Sequence, residues 1–142
     1  FLQQFNAEVE DLLRRLAAGR KNLKLEVKLG YRGALRMDDL KMKRALANLA
    51  KNALEAMGEE GVLSFAVEQV GDQVEFAISD TGPGLPPEIE GRLFEQFATH
   101  GKKEGTGLGL ALVKKIVDDH HGEVRVESRR GEGVTFRLRI PL

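Results

Sequence analysis

Residues 62–80 read VLSFAVEQVGDQVEFAISD. Apolar and polar residues alternate on both sides of Gly71-Asp72, a pattern that predicts two antiparallel strands joined by a tight turn. A hairpin with one apolar face needs a second layer to cover that face. The inward set of the second strand is Val74, Phe76 and Ile78, and by period 2 Asp80 points the same way. A carboxylate on an apolar face is expensive unless it is paired. Asp80 is therefore either a structural cap for the turn that follows or an acceptor for a buried ligand amine.

The flanking segments supply helices. Residues 5–18, FNAEVEDLLRRLAA, place Phe5, Val9, Leu12, Leu13 and Leu16 at helical spacing. Asn6 is a candidate N-cap, and Gly19 closes the helix. LKLEVKL at 23–29 alternates as a half-buried strand, and 30–37 reads as a turn with a short strand. Asp38 or Asp39 caps a long helix to about Met57, with Leu46, Leu49, Ala53 and Met57 on its buried side. After TGPGLPP, residues 87–94 read as a short helix and 95–106 as a polar loop. A helix over 107–120 follows, ended by His120-His121-Gly122. EVRVESR and VTFRLRI then flank a turn at residues 130–133. This order predicts an α+β two-layer sandwich, a mixed sheet with three main helices on one face. No run of βαβ units calls for a doubly wound parallel sheet.

Composition narrows the function. The chain has 142 residues, enough for one core, and its 22 basic residues balance 22 acidic ones. Nothing in that balance points to nucleic acid or to a cationic partner. There is no cysteine, so disulfides and thiolate metal sites are excluded, and a reducing compartment fits. No apolar run approaches the roughly 20 residues of a membrane span, so no direct membrane insertion is expected.

Three stretches carry chemistry. In NLAKNALEA, Asn48, Asn52 and Glu55 fall at i, i+4 and i+7 on one helix face. This is either a solvated face or a carboxamide aimed at a ligand or at magnesium, which prefers oxygen ligands and phosphates. In DTGPG, Gly82 and Gly84 permit positive φ and close approach of backbone to a ligand. In KKEGTGLGLALVKK, Gly105, Gly107 and Gly109 precede an apolar helical run. That is either a loose turn or a backbone cradle for phosphates at a helix N-terminus. Lys102, Lys103 and His100 add positive charge beside it, and Phe94 and Phe97 could pin the preceding loop.

Together and in this order, NLAKNALEA, DTGPGL, LFEQF and GTGLGL resemble the N, G1, F and G2 boxes of sensor histidine kinases. These boxes belong to the catalytic and ATP-binding domain, in the GHKL superfamily, and GEGVTF resembles the closing glycine-rich turn. The likeness runs from about residue 6 to Leu142. NALEA and the short loop after Phe97 look most like the nitrogen-regulation type. The resemblance implies a Bergerat-type fold that binds ATP with Mg2+, or ADP. Asn52 would hold the magnesium and Asp80 would accept the adenine amino group. Gly105, Thr106, Gly107, Leu108 and Gly109 would line the phosphates, with Lys102 and Lys103 beside them. Asn48, Ala53, Glu55, Gly82 and Gly84 complete the implied nucleotide site, and residues 95–105 become an ATP lid.

Two departures qualify the resemblance. Val134 stands where the family commonly has Thr or Ser, and Thr135 should face the other side of its strand. No segment resembles the phosphoacceptor H box. His120-His121 ends a helix, and His100 lies in the lid. The chain, which starts at Phe1 without Met, is thus expected to be the catalytic half of a longer protein, over 1–142. Its implied partners are a dimerisation and histidine phosphotransfer domain of the same parent and, through that domain, a response regulator. A cytoplasmic location is implied, with the parent protein free to be membrane-anchored. The alternatives are a GHKL-type ATPase and an anti-sigma-type serine kinase. The ATPases carry a water-activating glutamate where this chain has Asn48.

Overall fold

The hairpin expected over 62–80 forms as β2 (Glu60–Val70) and β3 (Gln73–Asp80), with Val70 opposite Gln73 across the turn. The computed structural model describes residues 1–84 and 106–142, with side chains up to 84 and from 110 onward. Three further strands complete one sheet among the described residues: β1 (Asn22–Leu29), β4 (Glu123–Arg129) and β5 (Gly133–Pro141). The strand order is β1-β2-β3-β5-β4. All neighbours are antiparallel except β1 and β2, which run parallel. A parallel pair needs a long crossover, and the helix between these two strands provides it. The sheet is therefore mixed, as the sequence predicts.

The helices among the described residues are α1 (Leu2–Ala17), α2 (Asp39–Met57) and α3 (Thr106–Asp119). Their apolar stripes meet one sheet face, where Leu63, Phe65, Val67, Val74, Phe76, Ile78, Phe136, Leu138 and Ile140 form a continuous core with them. Phe5 of α1 meets Phe76 of β3 edge to face, with ring centroids 5.8 Å apart. The opposite sheet face is polar. There Glu75 is nearly sealed from solvent, with Arg137 and Arg139 each 2.9 Å from its carboxylate.

Helix ends follow local chemistry. Asp38 caps α2, its Oδ1 accepting from the Lys41 N–H at 3.1 Å. At the other end Arg20 donates to the carbonyl of Gly58 at 2.6 Å, satisfying an orphan acceptor. The α3 terminus closes with Gly122 N–H on the Val117 carbonyl and His121 N–H on that of Asp118, both at 3.0 Å.

Two expectations need correction. Asn6 is not a cap: α1 starts at Leu2, so that Leu2 as well as Phe5 enters the core. Asn6 is buried inside the helix, donating to the Tyr31 carbonyl at 3.0 Å. Gly19 does close α1 as expected, standing just after the cap residue Ala18 at φ 87°. No strand forms over 30–37. The helix and loop expected over 87–105 lie outside the described residues. No helix among the described residues is long and apolar enough to cross a membrane.

Candidate nucleotide site

Asp80 closes β3 on the helix-facing side, opposite Leu63 of β2 and Val134 of β5. The side expected from period 2 is the side observed. Its carboxylate is half-buried. Oδ1 accepts from the Gly82 N–H at 2.8 Å, and the Val134 backbone N–H stands on the neighbouring strand at the position paired with Asp80. Burial raises its pKa above the ordinary value, and the two backbone donors pull it part of the way back. The loop that follows is fixed at once. Thr81 Oγ1 accepts from the Val62 N–H at 3.0 Å and donates to the Met57 sulfur at 3.7 Å.

This loop sits against the last turn of α2. A Cβ on Gly82 would lie 3.4 Å from Cβ of Ala56 and 3.1 Å from Asp80 Oδ1, so a larger residue would crowd the carboxylate. Ala56 stands one turn beyond Asn52, and Asn48 one turn before it, on the same helix face. Helical spacing thus brings the asparagine stretch and the aspartate stretch to one place. Ala53 points into the core, while Glu55 is exposed and has a partner.

Asn52 carries the most informative atom here. Its Nδ2 is buried and has no hydrogen-bond partner. Such an orphan costs on the order of 1–3 kcal/mol. The two ends of a carboxamide are interchangeable at this position, so the unpaired end can equally present oxygen, the donor type magnesium requires. Among the described residues no group of three or more His, Cys, Asp or Glu could hold a metal by itself. One carboxamide oxygen plus phosphates suits magnesium, which keeps few protein ligands.

Thr106, Gly107, Leu108 and Gly109 form the first turn of α3, whose leading N–H groups lack partners within the helix. Helix α3 packs along α2. Lys102, Lys103 and Gly105 lie outside the described residues. Two contributors were not foreseen from the sequence: the Val134 backbone paired with Asp80, and Ala56 beneath Gly82. The closing turn pointed toward the first, but only strand register reveals it. Thr135 faces the other side, as expected, where it hydrogen-bonds Ser79 at 2.9 Å.

Residues 37–142 match the family described as histidine kinase-, DNA gyrase B-, and HSP90-like ATPases. The chain belongs to this family, as an ATP-binding catalytic domain of the sensor histidine kinase kind. It is 36% identical over 124 residues to the alginate biosynthesis sensor protein KinB of Pseudomonas aeruginosa, covering 86% of this chain and 21% of KinB. The chain thus spans about a fifth of that relative. The solved catalytic domain of histidine kinase ThkA is 31% identical, with a TM-score of 0.83 over 99% of this chain and 93% of that one. ThkA in complex with the response regulator TrrA also matches, at 30% identity and a TM-score of 0.76, over 99% of this chain and 40% of that one.

Proposed function

We propose that residues 1–142 act as one catalytic unit that binds MgATP and passes the γ-phosphoryl group to a histidine on a separate dimerisation and phosphoacceptor domain, for relay to a response regulator. The observation that carries this is the meeting of the inward Asp80 carboxylate with the α2 face that bears the orphaned Asn52 amide. In this reading Asp80 accepts the adenine amino group. Gly82 and Gly84 let the backbone approach the ring, and Asn52 holds Mg2+. Asn48, Ala53 and Glu55 complete the helix side of the site. Thr106–Gly109 offer backbone N–H groups to the phosphates, with Gly105, Lys102 and Lys103 assigned to the same task from sequence. Magnesium, when bound, offsets phosphate charge. The chain's own contribution is to hold nucleotide and acceptor in line, because phosphoryl transfer is mostly positioning and electrostatics. The site sits on a chain without an evident membrane-crossing helix among its described residues, which fits a cytoplasmic domain.

A separate acceptor fits the histidines. His120 has both ring nitrogens engaged: Nδ1 lies 2.7 Å from the Ile116 carbonyl and Nε2 accepts from the Asp38 N–H at 2.9 Å. It is a helix-to-helix tie, ill-placed to receive phosphate. The complex of ThkA with TrrA supports the regulator as the downstream partner in that relative.

The test incubates labelled ATP with the domain, with and without a helical phosphoacceptor domain. The expected outcome is transfer only when the acceptor is present, giving an acid-labile, base-stable product. Stable phosphoserine on a partner would favour the serine kinase reading. Rapid phosphate release by the domain alone would favour the ATPase reading.

A further inference from the structure

Among the described residues the sheet has two tight hairpin turns, and they differ sharply. At the β2–β3 turn, Gly71 has a φ of 61°, and a Cβ there would meet nothing within 4 Å. The β4–β5 turn, over 129–133, instead lies on the loop that carries Asp80 and touches it at three points. Gly131 N–H donates to the Pro83 carbonyl at 2.8 Å. Gly84, at φ 86°, presses so close that a Cβ would lie 2.7 Å from the Arg129 carbonyl oxygen and 3.2 Å from Cα of Arg130. A Cβ on Gly133, at φ 124°, would overlap the Asp80 carbonyl oxygen and lie 2.8 Å from the carbonyl carbon. All these neighbours are backbone atoms, so no rotamer change could relieve the contacts. Val134, the next residue, pairs with Asp80 in the register of β3 with β5.

We propose that the β4–β5 turn is a positioning element for base recognition: Gly131 and Gly133 fix where the Asp80 carboxylate stands without reaching the base. This rests on the reading of Asp80 as the adenine acceptor. The turn's own side chains, Arg130 and Glu132, are exposed, so it adds nothing to the apolar core at those positions. Its contacts are spent on residues 80–84. A side chain at 133 pushes Asp80 along β3, and a hydrogen bond to a fixed ring amine tolerates little displacement.

Calorimetric affinities for ADP and GDP, with matched thermal midpoints, test this. Wild-type discrimination between the two tests the Asp80 reading itself, and its absence would overturn that reading. Given discrimination, Gly133→Ala should reduce the ADP/GDP preference by at least about tenfold, the worth of a hydrogen bond to a charged group. GDP affinity should barely change. Gly71→Ala, also at positive φ but in the milder left-handed region and free of contacts, should lower stability and leave the preference intact. If Gly133→Ala does not fold, inserting one glycine after Gly131 frees Pro83 while leaving the strands paired, and should lower the preference in the same way. A wild-type preference in the folded variants would overturn the proposal, as would equal losses for both nucleotides.

Discussion

Burial raises the pKa of Asp80, and this sets opposite demands on stability and binding. A carboxyl whose folded pKa exceeds its unfolded one contributes stability that is complete below the unfolded value. That contribution is lost as pH rises through the folded value. At neutral pH the ionised group is therefore a net burden on the free domain, tolerated for what it binds. Asp80→Asn should leave the thermal midpoint of the free domain unchanged or higher at pH 7. As pH falls through the carboxylate range, this advantage over wild type should shrink. ADP affinity should fall by roughly 1.5–3 kcal/mol, the range for a hydrogen bond to a charged group. Thermal melts across pH and calorimetry at pH 7 check the two halves separately. Asn52 invites a parallel test. Asn52→Ala removes a buried unpaired amide, so the free domain should not lose stability. Magnesium-dependent ATP binding should weaken more than metal-free nucleotide binding. Identical losses with and without magnesium in a titration would contradict the metal role.

Element ends show where local rules are bent. His121 occupies the left-handed position after α3, at φ 61°, where glycine is the usual residue. For a residue with a Cβ this region costs about 1–2 kcal/mol, part of which glycine gives back through its freer unfolded chain. His121→Gly should thus stabilise the domain by about 0.5–1 kcal/mol in urea unfolding, with an unchanged m-value. Nucleotide affinity should not move, because His121 is exposed at the far end of α3 from Thr106. His120 beside it does a different job. By accepting from the Asp38 N–H it joins the end of α3 to the start of α2, the helix that carries Asn52.

At the scale of the whole molecule, the family match begins at residue 37, but the core does not. Val9 and Leu13 of α1 are fully buried against the same cluster as α2 and β3, and Lys43 pairs with Glu8 across the two helices. Strand β1 pairs with β2 along its whole length. Leu13→Ala should cost about 2–5 kcal/mol, as large-to-small core changes do. Removing residues 1–36 should abolish cooperative unfolding, because it strips both a helix layer and an edge strand. A cooperative denaturant transition in the truncated chain would show instead that α1 is dispensable.

Periodicity alone determined much of this protein. The period-2 runs set the strands and turned Asp80 inward, and the 3.6-residue spacing lined up Asn48 and Asn52 on one face of α2. These are local consequences of backbone geometry, so they could be read before any fold was known. The Asn6 cap failed because the identity of a helix's first residue depends on whether Leu2 finds a core, which the local chain does not decide. The same holds for the site as an assembly. That Gly82 rests on Ala56, that Val134 pairs with Asp80, and that the turn at 129–133 grips residues 80–84 are contacts between segments far apart in sequence. Only the register of β3 with β5 and the seat of α2 on the sheet bring them together, because non-local contacts are set by how the layers pack and not by the residues on either side.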